Sequence, residues 1–240
     1  MGCRMDLRPR HSHHVASGLV HGDGTMRHLS VFSDDDELLK ALSDIHLKGK
    51  WFDLDCTYSQ GIFYKNIEQP KLKSDIDPIF TDVIKSDSRY LHFLEPNSIE
   101  SIVFDPPFLF RNRKSKNGDK ISKRFSYFED YYDLKQMYFN SMDEFNRVLK
   151  LGGYIFFKCQ DMTDGKFYCT HNAIINASSG LGFELKDIAI KATKKKLQKD
   201  AIQQNCVAKV HSYWLVFKKV ENHEHSMISR ERFVINEQSH

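Results

Sequence analysis

The stretch SIESIVFDPPFLFRN, residues 98–112, ends an apolar, β-branched run on an acid, two prolines and an aromatic ring. A buried strand that enters a turn ordinarily stops on Gly, Asn or a single Pro. Asp105-Pro106-Pro107-Phe108 instead makes a stiff corner carrying one charge and one ring, because each proline locks its φ and removes a backbone donor. A corner so rigid fixes the direction of whatever it presents.

Six further segments share the strand pattern of short β-branched or aromatic runs bounded by polar, Gly or Pro turns. They are WFDLDC, KLKSDI and DVIKSD before the corner, and GYIFFKCQD, GFELKDIAI and HSYWLVFKKV after it. From Ser33, SDDDELLKALSDIHLKG has an N-cap serine, acids in its first turn, apolar residues at helical spacing and a closing Gly49, which predicts a short helix. A second helix is predicted in YYDLKQMYFNSMDEFNRVLKLGG, where Leu134, Met137, Tyr138, Met142, Phe145, Val148 and Leu149 form an apolar stripe ended by two glycines. HNAIINASSGLG reads as a third. Helices interleaved with nearly continuous apolar strands predict a Rossmann-like α/β fold, a seven-stranded, mostly parallel sheet with helices on both faces.

The 240 residues are 40% hydrophobic and 28% charged, enough apolar material for one sizeable domain and short for two. Residues 26–220 are expected to form it, after a disordered leader over 1–25 and before a flexible tail over 221–240. Lys and Arg number 35 against 32 acids, and this net +3 does not by itself announce a nucleic-acid partner. Five cysteines with no C-x-x-C spacing argue against a disulfide framework or a zinc ribbon, so no metal is expected and a reducing cytoplasm fits. No apolar run reaches the roughly 18 to 20 residues of a membrane span.

Ligands of mostly parallel sheets bind beyond the carboxyl ends of the strands. Four such ends carry an acid: Asp55, Asp75, Asp87 and Asp105. Singly, each is ordinary as a turn former or helix cap; in succession they would open onto one rim. Carboxylates accept hydrogen bonds from ribose hydroxyls and ring amines, whereas a phosphate-rich ligand wants basic groups and glycine amides. Neither G-x-x-x-x-G-K-S/T nor G-x-G-x-x-G occurs, and Gly61 is the one flexible residue after the first strand. A nucleoside without a pyrophosphate fits better than NAD or ATP.

Asp-Pro-Pro-Phe at the end of the fourth strand resembles the Asp/Asn/Ser-Pro-Pro-aromatic signature of S-adenosylmethionine-dependent amino methyltransferases. With FDLDCTYSQG in the place of the first cofactor loop, LKLGGYIFFKCQD as the helix-to-strand-five segment and HSYWLVFKK as last strand, residues 50–220 resemble phage and bacterial N-4/N-6 DNA methylases. The resemblance implies a class I methyltransferase fold and S-adenosylmethionine as cofactor. It places Asp55, Thr57, Tyr58, Ser59 and Gly61 in the cofactor loop, Asp75 on the ribose hydroxyls, and Asp87 with Ser88 near the adenine amino group. This chain departs from the family's glycine-rich first loop, having only Gly61 there.

An exocyclic base amine is a poor nucleophile, because its lone pair is delocalised into the ring. Acceptors around its N–H groups draw that lone pair toward tetrahedral geometry. Asp105 and the Pro106 carbonyl are the candidates, with Pro107 stiffening the corner and Phe108 offering a stacking face; the bland alternative is that Phe108 merely packs in the core. A base must leave the duplex stack to be reached, or be single-stranded already. Two basic segments are candidate phosphate contacts: Arg111, Arg113, Lys114, Lys116, Lys123 and Arg124 in the first, and Lys194, Lys195 and Lys196 in the second. The expected partner is nucleic acid, DNA before RNA, with no membrane, and a homodimer is compatible with the chain. An RNA or protein-amine methyltransferase on the same fold, and an idle nucleic-acid-binding module, are the alternatives.

Overall fold

The computed structural model describes residues 18–20, 26–110, 128–193, 207 and 209–221. An antiparallel ribbon of β1 (Gly18–Val20) and β2 (Met26–His28) comes first, then the two-residue β3 (Val31–Phe32). Gly18–Val20 falls within the expected leader and is paired backbone. The rest of residues 1–25, and 222–240 of the expected tail, lie outside the described residues.

Helix α1 (Asp35–His46) carries Asp35, Asp36 and Glu37 in its first turn, where the helix dipole favours acids, and buries Leu38, Leu39, Ala41 and Leu42. Its cap is Asp34 rather than Ser33: Asp34 has the extended backbone of a cap, and the Ser33 hydroxyl donates to the Asp34 carboxylate at 2.7 Å. There follow β4 (Leu54–Asp55), a 3-10 turn over Ile62–Tyr64, β5 (Leu72–Asp75), β6 (Ile84–Lys85), β7 (Ile99–Phe104) and α2 (Tyr131–Val148). Strand β8 (Leu149–Cys159), a small hairpin of β9 (Met162–Asp164) and β10 (Lys166–Tyr168), and α3 (Thr170–Ser178) come next. The chain then forms β11 (Phe183–Ala192) and β12 (His211–Lys219).

The expected helix-ending glycines belong to a strand. Helix α2 stops at Val148 and β8 begins at the next residue, with Gly152 and Gly153 in an irregularity where Ile99–Ser101 faces Leu149–Tyr154. A Cβ on Gly153 would lie 3.0 Å from the carbonyl oxygens of Glu100 and Lys150, so Gly153 serves close backbone approach, while Gly152 takes a left-handed φ of 82°.

All seven expected strands form, and the sheet holds an eighth. The order is β3-β11-β12-β8-β7-β4-β5-β6, parallel except for β12, which runs antiparallel to both neighbours. The addition is β3, paired to β11 through Ile190↔Val31 and Lys191↔Phe32, and too short to show any alternation in sequence. Alternation along the central strands sorts the core onto two faces. Ile102, Phe104, Ile155, Phe157, Leu215 and Phe217 pack with Leu134, Met142 and Phe145 of α2 and Ile174 of α3. Val103, Phe156, Trp214 and Val216 pack with Leu38, Leu39 and Leu42 of α1 and Phe63 of the 3-10 turn.

Strand order reverses between β4 and β7: later strands β5 and β6 extend one way, β7 and β8 the other. In an open α/β sheet the crevice for a ligand opens at such a reversal. Asp55 ends β4 there, and Asp105 follows β7.

Candidate functional site

Thr57 ties those two strand ends together. Its hydroxyl accepts the Asp105 backbone N–H at 2.7 Å and lies 3.3 Å from Asp55 Oδ1, which also accepts the Thr57 N–H at 2.8 Å. Asp55 Oδ2 accepts the Tyr64 hydroxyl at 2.7 Å. Both oxygens of this buried carboxylate are therefore engaged inside the protein, and Asp55 shapes the loop from within. Burial pushes its pKa up to about 7, against the pull of the Tyr64 and Thr57 hydrogen bonds. Asp105 is likewise lifted by desolvation, to about 6, with Lys158 holding it down.

The loop of residues 57–61 crosses to the next strand end. Ser59, in a left-handed conformation (φ 50°), donates its N–H to Asp75 Oδ2 at 2.8 Å, and Asp75 Oδ1 accepts from the Asp77 N–H at 2.9 Å. Tyr58 stacks almost parallel on Tyr64, with 5.7 Å between ring centres. Gly61 (φ 63°) lies against the Tyr58 ring, and a Cβ there would sit 2.6 Å from Tyr58 Cζ. The loop, which departs from the family's glycine-rich pattern, is stiffened by stacked tyrosines.

Three of the four acids act electrostatically on Cys56. The Cys56 thiol is pushed well up by burial and then by the carboxylates of Asp55, Asp75 and Asp87. Asp87 is not a free acid, since Arg89 grips it with Nε at 3.0 Å from Oδ1 and a terminal nitrogen at 2.6 Å from Oδ2, which lowers its pKa. The neighbouring Ser88 hydroxyl meets that of Ser141 on α2 at 2.9 Å.

At the corner, Pro106 is buried while Pro107 and Phe108 are half-buried. The Pro107 carbonyl accepts the Tyr138 hydroxyl at 2.6 Å, which clamps the corner to α2. Among the described residues no donor reaches the Pro106 carbonyl. Beyond it, Phe110 meets Tyr131 and Tyr168 at 5.6 and 5.0 Å between ring centres.

Sequence reasoning passed over two features, the first of them beside Asp105. Lys158 of β8 lies 3.8 Å from Asp105 Oδ2 and 3.2 Å from Asp35 Oδ1 at the start of α1. The signal was present as a lysine inside the apolar run GYIFFKCQD, on the face that carries Phe156. Asp161, Cys169 and His171 also cluster, with ligand-type atoms within 4.8 Å of one another. His171 Nδ1 already bonds both Asp161 oxygens, at 2.8 and 2.9 Å, so a hydrogen-bonded pair accounts for the arrangement. His211 Nε2 lies 3.1 Å from the Tyr213 hydroxyl.

The basic residues Arg111, Arg113, Lys114, Lys116, Lys123, Arg124, Lys194, Lys195 and Lys196 lie outside the described residues. Among the described residues no helix is long and apolar enough to cross a membrane.

A family model described as DNA methylase matches residues 99–238, more than half of the chain and inclusive of the Asp-Pro-Pro-Phe corner. No curated protein matches. Among solved structures, a protein from Thermus thermophilus, provisionally named a DNA modification methylase and crystallised with S-adenosyl-L-methionine, is 20% identical at a TM-score of 0.41. The match takes in 58% of this chain and 55% of that one, so the chain spans about half the length of that protein. A SAM dependent methyltransferase from Archaeoglobus fulgidus is 18% identical over 77% of this chain and 94% of its own, at a TM-score of 0.43. The 1,6-didemethyltoxoflavin-N1-methyltransferase of Burkholderia thailandensis is 10% identical, over 79% and 80%, at 0.49.

Proposed function

Because the chain belongs to the DNA methylase family, we propose that it transfers a methyl group from S-adenosylmethionine to an exocyclic base amine in DNA, adenine N6 or cytosine N4. The observation that carries this reading is Asp105 at the point of strand-order reversal. Its backbone is held by Thr57, and the next turn is clamped through Tyr138 to Pro107. Such a corner holds an acceptor still while an amine approaches it.

The donor set suits a nucleoside without a pyrophosphate. Asp75 sits at the edge of the 57–61 loop and is assigned the ribose hydroxyls, with Thr57, Tyr58, Ser59 and Gly61 forming the wall along the methionine portion. Asp87, kept ionised by Arg89, is assigned the adenine amino group, with Ser88 beside it. Bound S-adenosylmethionine supplies an electrophilic methyl carbon, and no metal is called for in the transfer. Asp105 and the Pro106 carbonyl accept from the amine N–H groups, which directs the nitrogen lone pair outward. The proton lost after transfer goes to Asp105 or to water. Phe108 offers its ring to the extruded base. The basic residues of 111–124 and 194–196 are assigned to phosphates of the nucleic acid.

The test is transfer of labelled methyl to duplex DNA, single-stranded DNA, RNA and protein in parallel, followed by nucleoside analysis. N6-methyladenine or N4-methylcytosine from DNA is expected. Label appearing only in RNA or only in protein overturns the DNA assignment. Asp105→Ala is expected to lower kcat at least about a hundredfold with calorimetric cofactor binding retained, in line with loss of a positioned acid–base group; a variant that turns over normally removes Asp105 from the reaction.

A further inference from the structure

Strand β8 places Tyr154, Phe156 and Lys158 on one face and Ile155, Phe157 and Cys159 on the other, so Lys158 occupies a position where the pattern calls for an apolar side chain. The residue is 8% exposed. Its ammonium lies 4.4 Å from the centre of the Phe63 ring and 5.4 Å from that of Trp214. A buried ammonium is strongly unfavourable without a counter-charge. Two carboxylates supply it: Asp35 at 3.2 Å and Asp105 Oδ2 at 3.8 Å. Asp35 is itself fixed, because the Trp214 indole N–H donates to its Oδ1 at 3.0 Å.

We infer that Lys158, shared between Asp35 and Asp105, is a positioning residue that keeps Asp105 ionised and turned so that its second oxygen faces the amine. This inference rests on the methyl transfer proposed above. The groups facing Asp105 are Lys158 from β8, Asp35 from α1, Asp55 and Thr57 from the end of β4, and the neutral phenol of Tyr138 from α2. Desolvation and, less strongly, the Asp35 charge disfavour the Asp105 anion, and Lys158 opposes both. Without it Asp105 takes up a proton at higher pH, and a protonated carboxyl presents a donor where the amine needs an acceptor. The 3.8 Å separation is a charge contact rather than a tight hydrogen bond, which leaves the acceptor capacity of Asp105 available.

Asp35 acts in the opposite sense to Lys158, and the experiment uses that opposition. Lys158→Met is expected to move the acid limb of the kcat profile upward by about one pH unit or more, the size of effect that a charge within 4–6 Å exerts. Asp35→Asn keeps an oxygen for the Trp214 N–H and is expected to move the limb downward. Lys158→Arg is expected to keep it near its original place. KM for S-adenosylmethionine should change little in all three. The same variants are followed by carbon-13 titration of the Asp105 carboxyl, a readout that needs no turnover. Carboxyl midpoints that stay together, or that move in one direction in both Lys158→Met and Asp35→Asn, overturn the role of Lys158. If the carboxyl midpoints separate as expected but the unaltered protein methylates no nucleic acid, the proposed reaction is what fails. Should Lys158→Met not fold, Asp35→Asn and Lys158→Arg still decide the sign.

Discussion

Gly61 shows how one residue's geometry sets the shape of the rim. Its φ of 63° is comfortable for glycine and strained for other residues, and the Tyr58 ring fills the space that a Cβ would need. Gly61→Ala must either push Tyr58 off its stack on Tyr64 or shift the loop that carries Ser59 to Asp75. The expected cost is about 1–3 kcal/mol of stability, with calorimetric affinity for S-adenosylmethionine falling about tenfold, or about 1.4 kcal/mol. Unchanged affinity in a folded variant would separate the loop from the cofactor. Asp105 and Asp75 were visible in the sequence because each closes a strand whose pattern is local. Asp35 and Lys158 were not, since the contact joins residues 123 positions apart and Trp214 reaches Asp35 across 179. Asp55 was visible as a strand-end acid, yet its engagement by Tyr64 depends on a 3-10 turn that no periodicity marks.

Helix α2 does more than cover the sheet. Glu144 is almost buried and its Oε1 accepts the Leu91 N–H at 2.7 Å, while Arg147, held by Glu144, donates to the carbonyls of Leu94 and Leu91 at 3.0 and 3.2 Å. The segment after Asp87 is thereby fastened to the helix whose Tyr138 clamps the Pro107 carbonyl. Glu144→Ala leaves a buried N–H without its acceptor and loosens Arg147. A loss of about 1–3 kcal/mol in urea unfolding is expected, and a loss below the error of the measurement would mean that water replaces the carboxylate. The apolar stripe of α2 was legible in advance because it repeats along the whole helix. The ends were less so: of the glycines that looked like a helix stop, Gly153 serves close strand contact and Gly152 a left-handed turn inside β8, and β3, β9 and β10 are too short for any pattern to emerge.

The whole fold carries a signature of its buried acids in the pH dependence of stability. Asp55 has an ordinary value of 3.8 and is lifted to about 7 in the folded protein. Below the ordinary value both folded and unfolded chains hold the proton, and Asp55 does not distinguish them. Between about 4 and 7 the folded chain keeps a proton that the unfolded chain has released, so stability falls as pH rises and levels off above about 7. Asp105, lifted to about 6, contributes in the same sense. Asp55→Asn removes its share of that slope. Thermal melting is expected to favour the variant more at pH 8 than at pH 5, and a difference independent of pH would show that the Asp55 carboxyl is not held near neutrality.

Of the chain's two tryptophans, Trp51 rests on Phe52 near the start of β4, whereas Trp214 lies over the Lys158 ammonium and grips Asp35. An indole's emission responds to cations and hydrogen bonds at its ring, and here both come from the cluster beside Asp105. The protein thus carries its own lamp at the corner: in a Trp51→Phe background, ultraviolet emission reads charge arriving or departing there, with no dye attached.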